Sequence, residues 1–144
     1  MKKRLALVVE DDPELQKAMT AELERMDFEV LGALHYDAAV NQLKAAGRPA
    51  LFCVDLELPT RSGYELCEYI RGPLGRARVP ILVTSDSWFP EGMASAEEAG
   101  ANAFLMKPFS MRAFASSVEE LLANGAPESV QAPESVQEMA RGEM

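Results

Sequence analysis

Five short apolar runs, LALVV (5–9), VLGAL (30–34), LFCV (51–54), ILVT (81–84) and AFLM (103–106), recur along the chain with helical patterns between them. Four are apolar almost throughout. Continuous apolarity at strand length implies burial on both faces, as for parallel strands sandwiched between helices. The intervening segments carry a different period. Asp12 before Pro13 supplies an N-cap and a proline at the first helical position, and Leu15, Met19, Leu23 and Met26 then recur at helical spacing. Ser110 caps the last helix, where Phe114, Val118, Leu121 and Leu122 share a face and Gly125 is the expected stop. Weaker patterns predict helices at 37–46, 63–71 and 91–99. Strand and helix thus alternate five times, which calls for a doubly wound α/β fold with a five-stranded parallel sheet and five helices.

A chain of 144 residues with 48% apolar composition can bury one sizeable core and is too short for two ordinary ones. The ordered unit is expected to span residues 1–125. Beyond it, APESVQ at 126–131 is repeated without alteration at 132–137. Such a proline-containing repeat has little surface to bury, so 126–144 is expected to be a disordered tail. A net charge of −9 argues against nucleic acid and anionic membranes as partners and favours a cation. Cys53 and Cys67 sit in apolar surroundings without metal-type spacing and are expected to be inert packing residues of a protein in a reducing cytoplasm. No apolar run approaches the ~20 residues of a membrane span, and nothing at the start reads as a leader.

In an open parallel sheet ligands bind beyond the carboxyl ends of the strands, so the residues after each apolar run carry the functional information. Glu10, Asp11 and Asp12 follow the first run, Asp55 ends the third, Thr84, Ser85 and Asp86 end the fourth, and Lys107 follows the fifth. Crowded carboxylates raise one another's pKa unless a cation neutralises them, and hard oxygen ligands favour Mg²⁺ or a similar ion. Asp12 is assigned to helix capping rather than to that cluster.

These motifs together resemble the receiver domain of two-component response regulators over about residues 3 to 124. VVEDD resembles the acidic-pocket signature, VDLELPTRSGYEL the phosphoacceptor strand and its loop, and FLMKPF the lysine-proline signature. The resemblance implies a flavodoxin-like sheet of strand order 2-1-3-4-5. It also implies that Asp55 accepts a phosphoryl group from a histidine kinase or phosphotransfer protein, and that Asp11, Asp55 and the backbone carbonyl of Glu57 ligate Mg²⁺, with Glu10 acting through a bound water. Lys107 and Ser85 would each engage a phosphoryl oxygen, and a cis Lys107–Pro108 bond would aim the amine. Phe104 would be the switch aromatic, turning inward as Ser85 is drawn to the phosphoryl group. A downstream protein would be met on the face made by the fourth helix, fifth strand and fifth helix. The implied protein is a stand-alone phosphorelay component, monomeric or weakly dimeric, and an enzyme only in promoting its own phosphorylation and dephosphorylation.

Thr84 precedes Ser85 and is the alternative hydroxyl donor, although gapless counting favours Ser85. Asp86 departs from the family pattern, where a small residue is usual and the backbone N–H approaches the phosphoryl group. Trp88 and Phe89 suggest a local cover or docking surface. His35 is expected to be exposed before the second helix, and Arg76 and Arg78 to lie on a solvated turn. Two rivals stand beside this reading. One is a pseudo-receiver, an interaction module independent of phosphorylation. The other is a haloacid-dehalogenase-type phosphohydrolase, disfavoured because VVEDDPEL lacks the D-x-D spacing.

Overall fold

The computed structural model describes residues 3–87 and 90–124. Trp88 and Phe89, expected to form a local cover or docking surface, Gly125, the expected helix stop, and the expected disordered tail at 126–144 lie outside the described residues. Among the described residues, strands and helices alternate as β1 (Arg4–Val9), α1 (Pro13–Arg25), β2 (Phe28–Ala33), α2 (Tyr36–Ala46), β3 (Leu51–Asp55), α3 (Gly63–Arg71), β4 (Ile81–Ser85), α4 (Pro90–Ala99), β5 (Ala103–Met106) and α5 (Met111–Ala123). All neighbouring strands run parallel, in the order β2-β1-β3-β4-β5. This is the doubly wound arrangement expected from the alternation.

The period of the strand side chains builds the two layers. Ala6 and Val8 point to one face with Met19 and Leu23 of α1 and Phe114, Val118 and Leu121 of α5. Leu7 and Val9 point to the other, with Ala39 and Leu43 of α2, Leu66 and Ile70 of α3, and Met93, Ala96 and Ala99 of α4. The central strands β3 and β4 are buried at every position, as near-continuous apolar runs require. The outer strands β2 and β5 are only half-buried, because each has one neighbour. The edge explains one shift: β2 begins at buried Phe28 and ends at Ala33, leaving Leu34 exposed.

Helix ends follow side-chain capping. Asp12 accepts the Glu14 N–H, Ser62 the Glu65 N–H and Ser110 the Ala113 N–H. Exposed His35 also caps, its Nδ1 accepting the Ala38 N–H at 3.2 Å. At the amino end of the sheet, Arg71 of α3 ties three segments together. Its guanidinium donates to the carbonyls of Arg76, Val79 and Gly100 and to Asn102 Oδ1, and Asn102 Oδ1 also accepts the Ile81 N–H. No helix of the described residues is long and apolar enough to cross a membrane.

Candidate functional site

Strand order converts distant sequence positions into neighbours. β1 lies beside β3 with Val9 opposite Val54, so the next residues, Glu10 and Asp55, emerge side by side at the carboxyl edge. β3 lies beside β4 with Asp55 opposite Thr84, and β4 beside β5 with Ser85 opposite Met106. Lys107 follows at once, its N–H bonded to the Ser85 carbonyl at 2.8 Å.

Asp55 is 2% exposed and held on both carboxylate oxygens: Oδ1 accepts the Glu57 N–H at 2.9 Å, and Oδ2 lies 3.2 Å from Lys107 Nζ. Lys107 Nζ also lies 2.8 Å from Glu10 Oε1. The Lys107–Pro108 peptide bond is cis, as the resemblance implied. Glu10 is as deeply buried as Asp55, and its other oxygen accepts the Asp12 N–H at 3.0 Å. Asp11, on the solvent side, completes a set whose oxygens lie within 4.8 Å of one another.

The electrostatics of this set are unbalanced. Burial pushes Glu10 up to about 7 despite the amine of Lys107, and Asp55 also lies above its ordinary value, chiefly through burial. Burial opposes the charge on Lys107, but the close contact of its amine with the Glu10 carboxylate and the negative field of Asp55 and Glu10 outweigh it and hold the amine above its usual range. One lysine serves two buried carboxylates.

A divalent cation fits this donor set. Glu10, Asp11 and Asp55 offer three hard oxygens at one mouth, and Glu10 Oε1 is the buried side-chain atom without a well-directed hydrogen bond among the described residues. Its contact with Lys107 is an ion pair, close but poorly aligned.

On the far side of Asp55, Ser85 is fully buried and its Oγ donates to Glu57 Oε2 at 2.6 Å. The Asp86 N–H donates to Glu57 Oε1 at 3.0 Å, while Asp86 itself is exposed. Ser85 is therefore the hydroxyl that engages the groups around Asp55. Thr84, also buried, belongs to the preceding register position opposite Asp55. Phe104 is 5% exposed and already lies in the core cluster with Val83, Met93 and Ala96. Cys53 and Cys67 are buried free thiols, both pushed up to about 12 by burial.

Three contributors escaped the sequence reading. The Glu57 side chain, assigned only a backbone role, reaches across to β4. Gln16 Nε2 donates to the carbonyls of Glu10 and Ala33, pinning the β1–α1 loop. Gly63 packs directly on the Asp55–Leu56 backbone, where a Cβ would clash with the Asp55 carbonyl oxygen and lie 2.7 Å from Leu56 Cα. A glycine opening a helix, where it is a poor helix former, was the available signal for the last.

The family model of the response regulator receiver domain matches residues 6–119. Among curated proteins, the chain is 27% identical over 128 residues to the phosphate regulon transcriptional regulatory protein PhoB of Escherichia coli, covering 89% of this chain and 56% of that protein. It is 31% identical over 103 residues to the sensory transduction protein BceR of Bacillus subtilis, covering 72% of this chain and 43% of that protein. The chain thus spans about half the length of these relatives. Its fold is similar to the chemotaxis response regulator CheY4 of Vibrio cholerae, with a TM-score of 0.77 at 21% identity over 83% of this chain and 98% of that one. It is equally similar to a CheY-like receiver domain protein from Methanospirillum hungatei, with a TM-score of 0.76 at 24% identity over 85% and 95% of the two chains. The family match over most of the chain, with an acidic edge, a buried Asp55 and a cis-proline lysine where the motifs placed them, assigns the chain to the response regulator receiver domain family.

Proposed function

We propose that the protein is a phosphoacceptor of a two-component phosphorelay, with Asp55 taking a phosphoryl group from a phosphohistidine on a histidine kinase or phosphotransfer protein. The observation that carries this is the setting of Asp55, a buried carboxylate fixed by the Glu57 N–H and Lys107, with the Glu10 and Asp11 oxygens beside it. An Asp55 carboxylate oxygen forms the new bond to phosphorus as the P–N bond breaks. The imidazole leaves with that electron pair and is reprotonated from solvent, so a phosphohistidine becomes an acyl phosphate. Glu10, Asp11, Asp55 and the Glu57 backbone carbonyl would hold Mg²⁺, which supplies charge neutralisation for the approaching phosphoryl oxygens. Lys107 pairs with one phosphoryl oxygen and Ser85 donates its hydroxyl to another.

The output is a changed surface rather than a released product. The movement of Ser85 is transmitted through neighbouring β5, where Phe104 packs between the sheet and α4, to a protein target on the α4–β5–α5 face. The protein acts as a signalling component in the cytoplasm, and its only chemistry is on its own aspartate.

Intact mass after incubation with a small phosphodonor and Mg²⁺ tests this reading. A gain of one phosphoryl group, absent in Asp55→Asn, is the expected result. No gain in either protein would favour an interaction module that keeps the fold without phosphorylation.

A further inference from the structure

In this structure the donors that would read a phosphoryl group are already occupied by carboxylates. Ser85 Oγ donates to Glu57 Oε2 at 2.6 Å and the Asp86 N–H to Glu57 Oε1 at 3.0 Å, so both oxygens of one carboxylate are engaged. The Ser87 N–H donates to Ser85 Oγ at 3.0 Å, satisfying the hydroxyl as an acceptor; its one proton has two acceptors in reach, the Ser87 carbonyl at 3.0 Å and Glu57 Oε2 at 2.6 Å, and the shorter, charge-assisted contact to Glu57 is the stronger. Lys107 is held by Glu10 and Asp55.

The position of Glu57 makes this possible. Asp55 lies opposite Thr84 in the β3–β4 ladder, so a residue two places beyond Asp55 reaches the end of β4, where Ser85 and Asp86 present their donors. The bond from the Glu57 N–H to Asp55 Oδ1 ties the same loop to the nucleophile. A planar anion with two acceptor oxygens is a close substitute for two oxygens of a phosphoryl group.

We propose that the Glu57 carboxylate is an internal latch: it occupies the Ser85 hydroxyl and the Asp86 N–H in the resting protein and must be expelled before a phosphoryl group on Asp55 can be bound. This rests on the phosphoacceptor reading and adds to it a residue that sets how readily the active state is reached. Two anions cannot share those donors, so the observed affinity for a phosphoryl group is reduced by the fraction of molecules with the latch closed. Asp86 acquires a place in the same device. Its N–H holds the latch, while its exposed side chain sits beside the Glu57 carboxylate with like charge.

The test uses beryllium fluoride, titrated calorimetrically into the wild-type protein, Glu57→Ala and Glu57→Gln, each at Mg²⁺ saturating for that protein. Glu57→Ala is expected to bind about tenfold more tightly, the factor expected from releasing a charge-assisted bond and its neighbour. Glu57→Gln is expected to fall between, because its amide oxygen still accepts but carries no charge. The Asp86 amide resonance should also shift in Glu57→Ala before any ligand is added, which a merely structural role for this exposed side chain would not require. Equal or weaker binding by Glu57→Ala, or an unmoved Asp86 amide, overturns the latch. Binding by none of the three proteins, with no phosphoryl gain by mass, overturns the phosphoacceptor reading and the latch with it.

Discussion

Replacing Asp55 by Asn should stabilise the metal-free protein, although it removes one partner of a buried ion pair. The oxygens of Glu10, Asp11 and Asp55 lie within 4.8 Å of one another. At an effective dielectric near 20, two unit charges at that distance repel by about 3.5 kcal/mol. At pH 8, above its raised value of about 7, buried Glu10 is mostly charged and exerts most of this on Asp55, whereas exposed Asp11 is screened to about 1–2 kcal/mol. Against these stands Lys107 at 3.2 Å, an attraction of about 5 kcal/mol on the same scale. The charge terms nearly cancel, which leaves the cost of burying a carboxylate. The direction agrees with the pKa of Asp55, which lies above its ordinary value. Asn keeps an oxygen for the Glu57 N–H and removes that cost, so the expected gain is about 1–3 kcal/mol, or roughly 3–10 °C for a domain of this length.

The pH dependence has a definite sign. A carboxyl whose pKa is raised by folding loses stability as pH climbs from its unfolded value through its folded one, so the advantage of Asn should be larger at pH 8 than at pH 5. Added Mg²⁺ should reverse the order, because it stabilises the native state in proportion to its binding and Asn lacks a charged ligand. Urea denaturation of both proteins at pH 8 and pH 5, in chelator and in millimolar Mg²⁺, provides the four comparisons. An Asn variant less stable than wild type in chelator at pH 8 would show that the ion pair with Lys107 outweighs burial and refute the reasoning.

Two further outcomes concern parts of the molecule away from the site. Arg71→Ala should cost about 3 kcal/mol in urea denaturation, since it leaves the Arg76, Val79 and Gly100 carbonyls without their donor; Arg71→Lys should restore only part, because an ammonium cannot fork to all of them. A loss under about 1 kcal/mol in Arg71→Ala would show that water replaces the guanidinium. Cys53 and Cys67, fully buried with thiols pushed up to about 12, should resist alkylation in the native state at pH 8 and both react in denaturant. Rapid native labelling of either would contradict the core packing.

The alternation of apolar runs with capped helical patterns was enough to determine a doubly wound parallel sheet, because a strand buried on both faces must be apolar throughout. It was also enough to place the edge residues, since ligand groups in such a sheet follow the strands directly. Glu10, Asp11, Asp55, Ser85 and Lys107 were legible for that reason: each sits at the end of a run that hydropathy marks. What the tertiary structure decided is everything that depends on distance across the sheet. That one lysine serves both Glu10 and Asp55 follows from β1 lying beside β3, with Lys107 entering from β5. That Gly63 must lack a side chain follows from the packing of α3 on the Asp55–Leu56 backbone. Arg71 and Gln16 look like ordinary helix residues in one dimension, and only the folded chain brings carbonyls from separate segments to their donors. Glu57 shows the division most clearly. Its backbone role is implied only by the resemblance to receiver domains, whereas the direction of its carboxylate is set by the β3–β4 register, and no periodicity encodes the reach of a side chain from one strand end to the next.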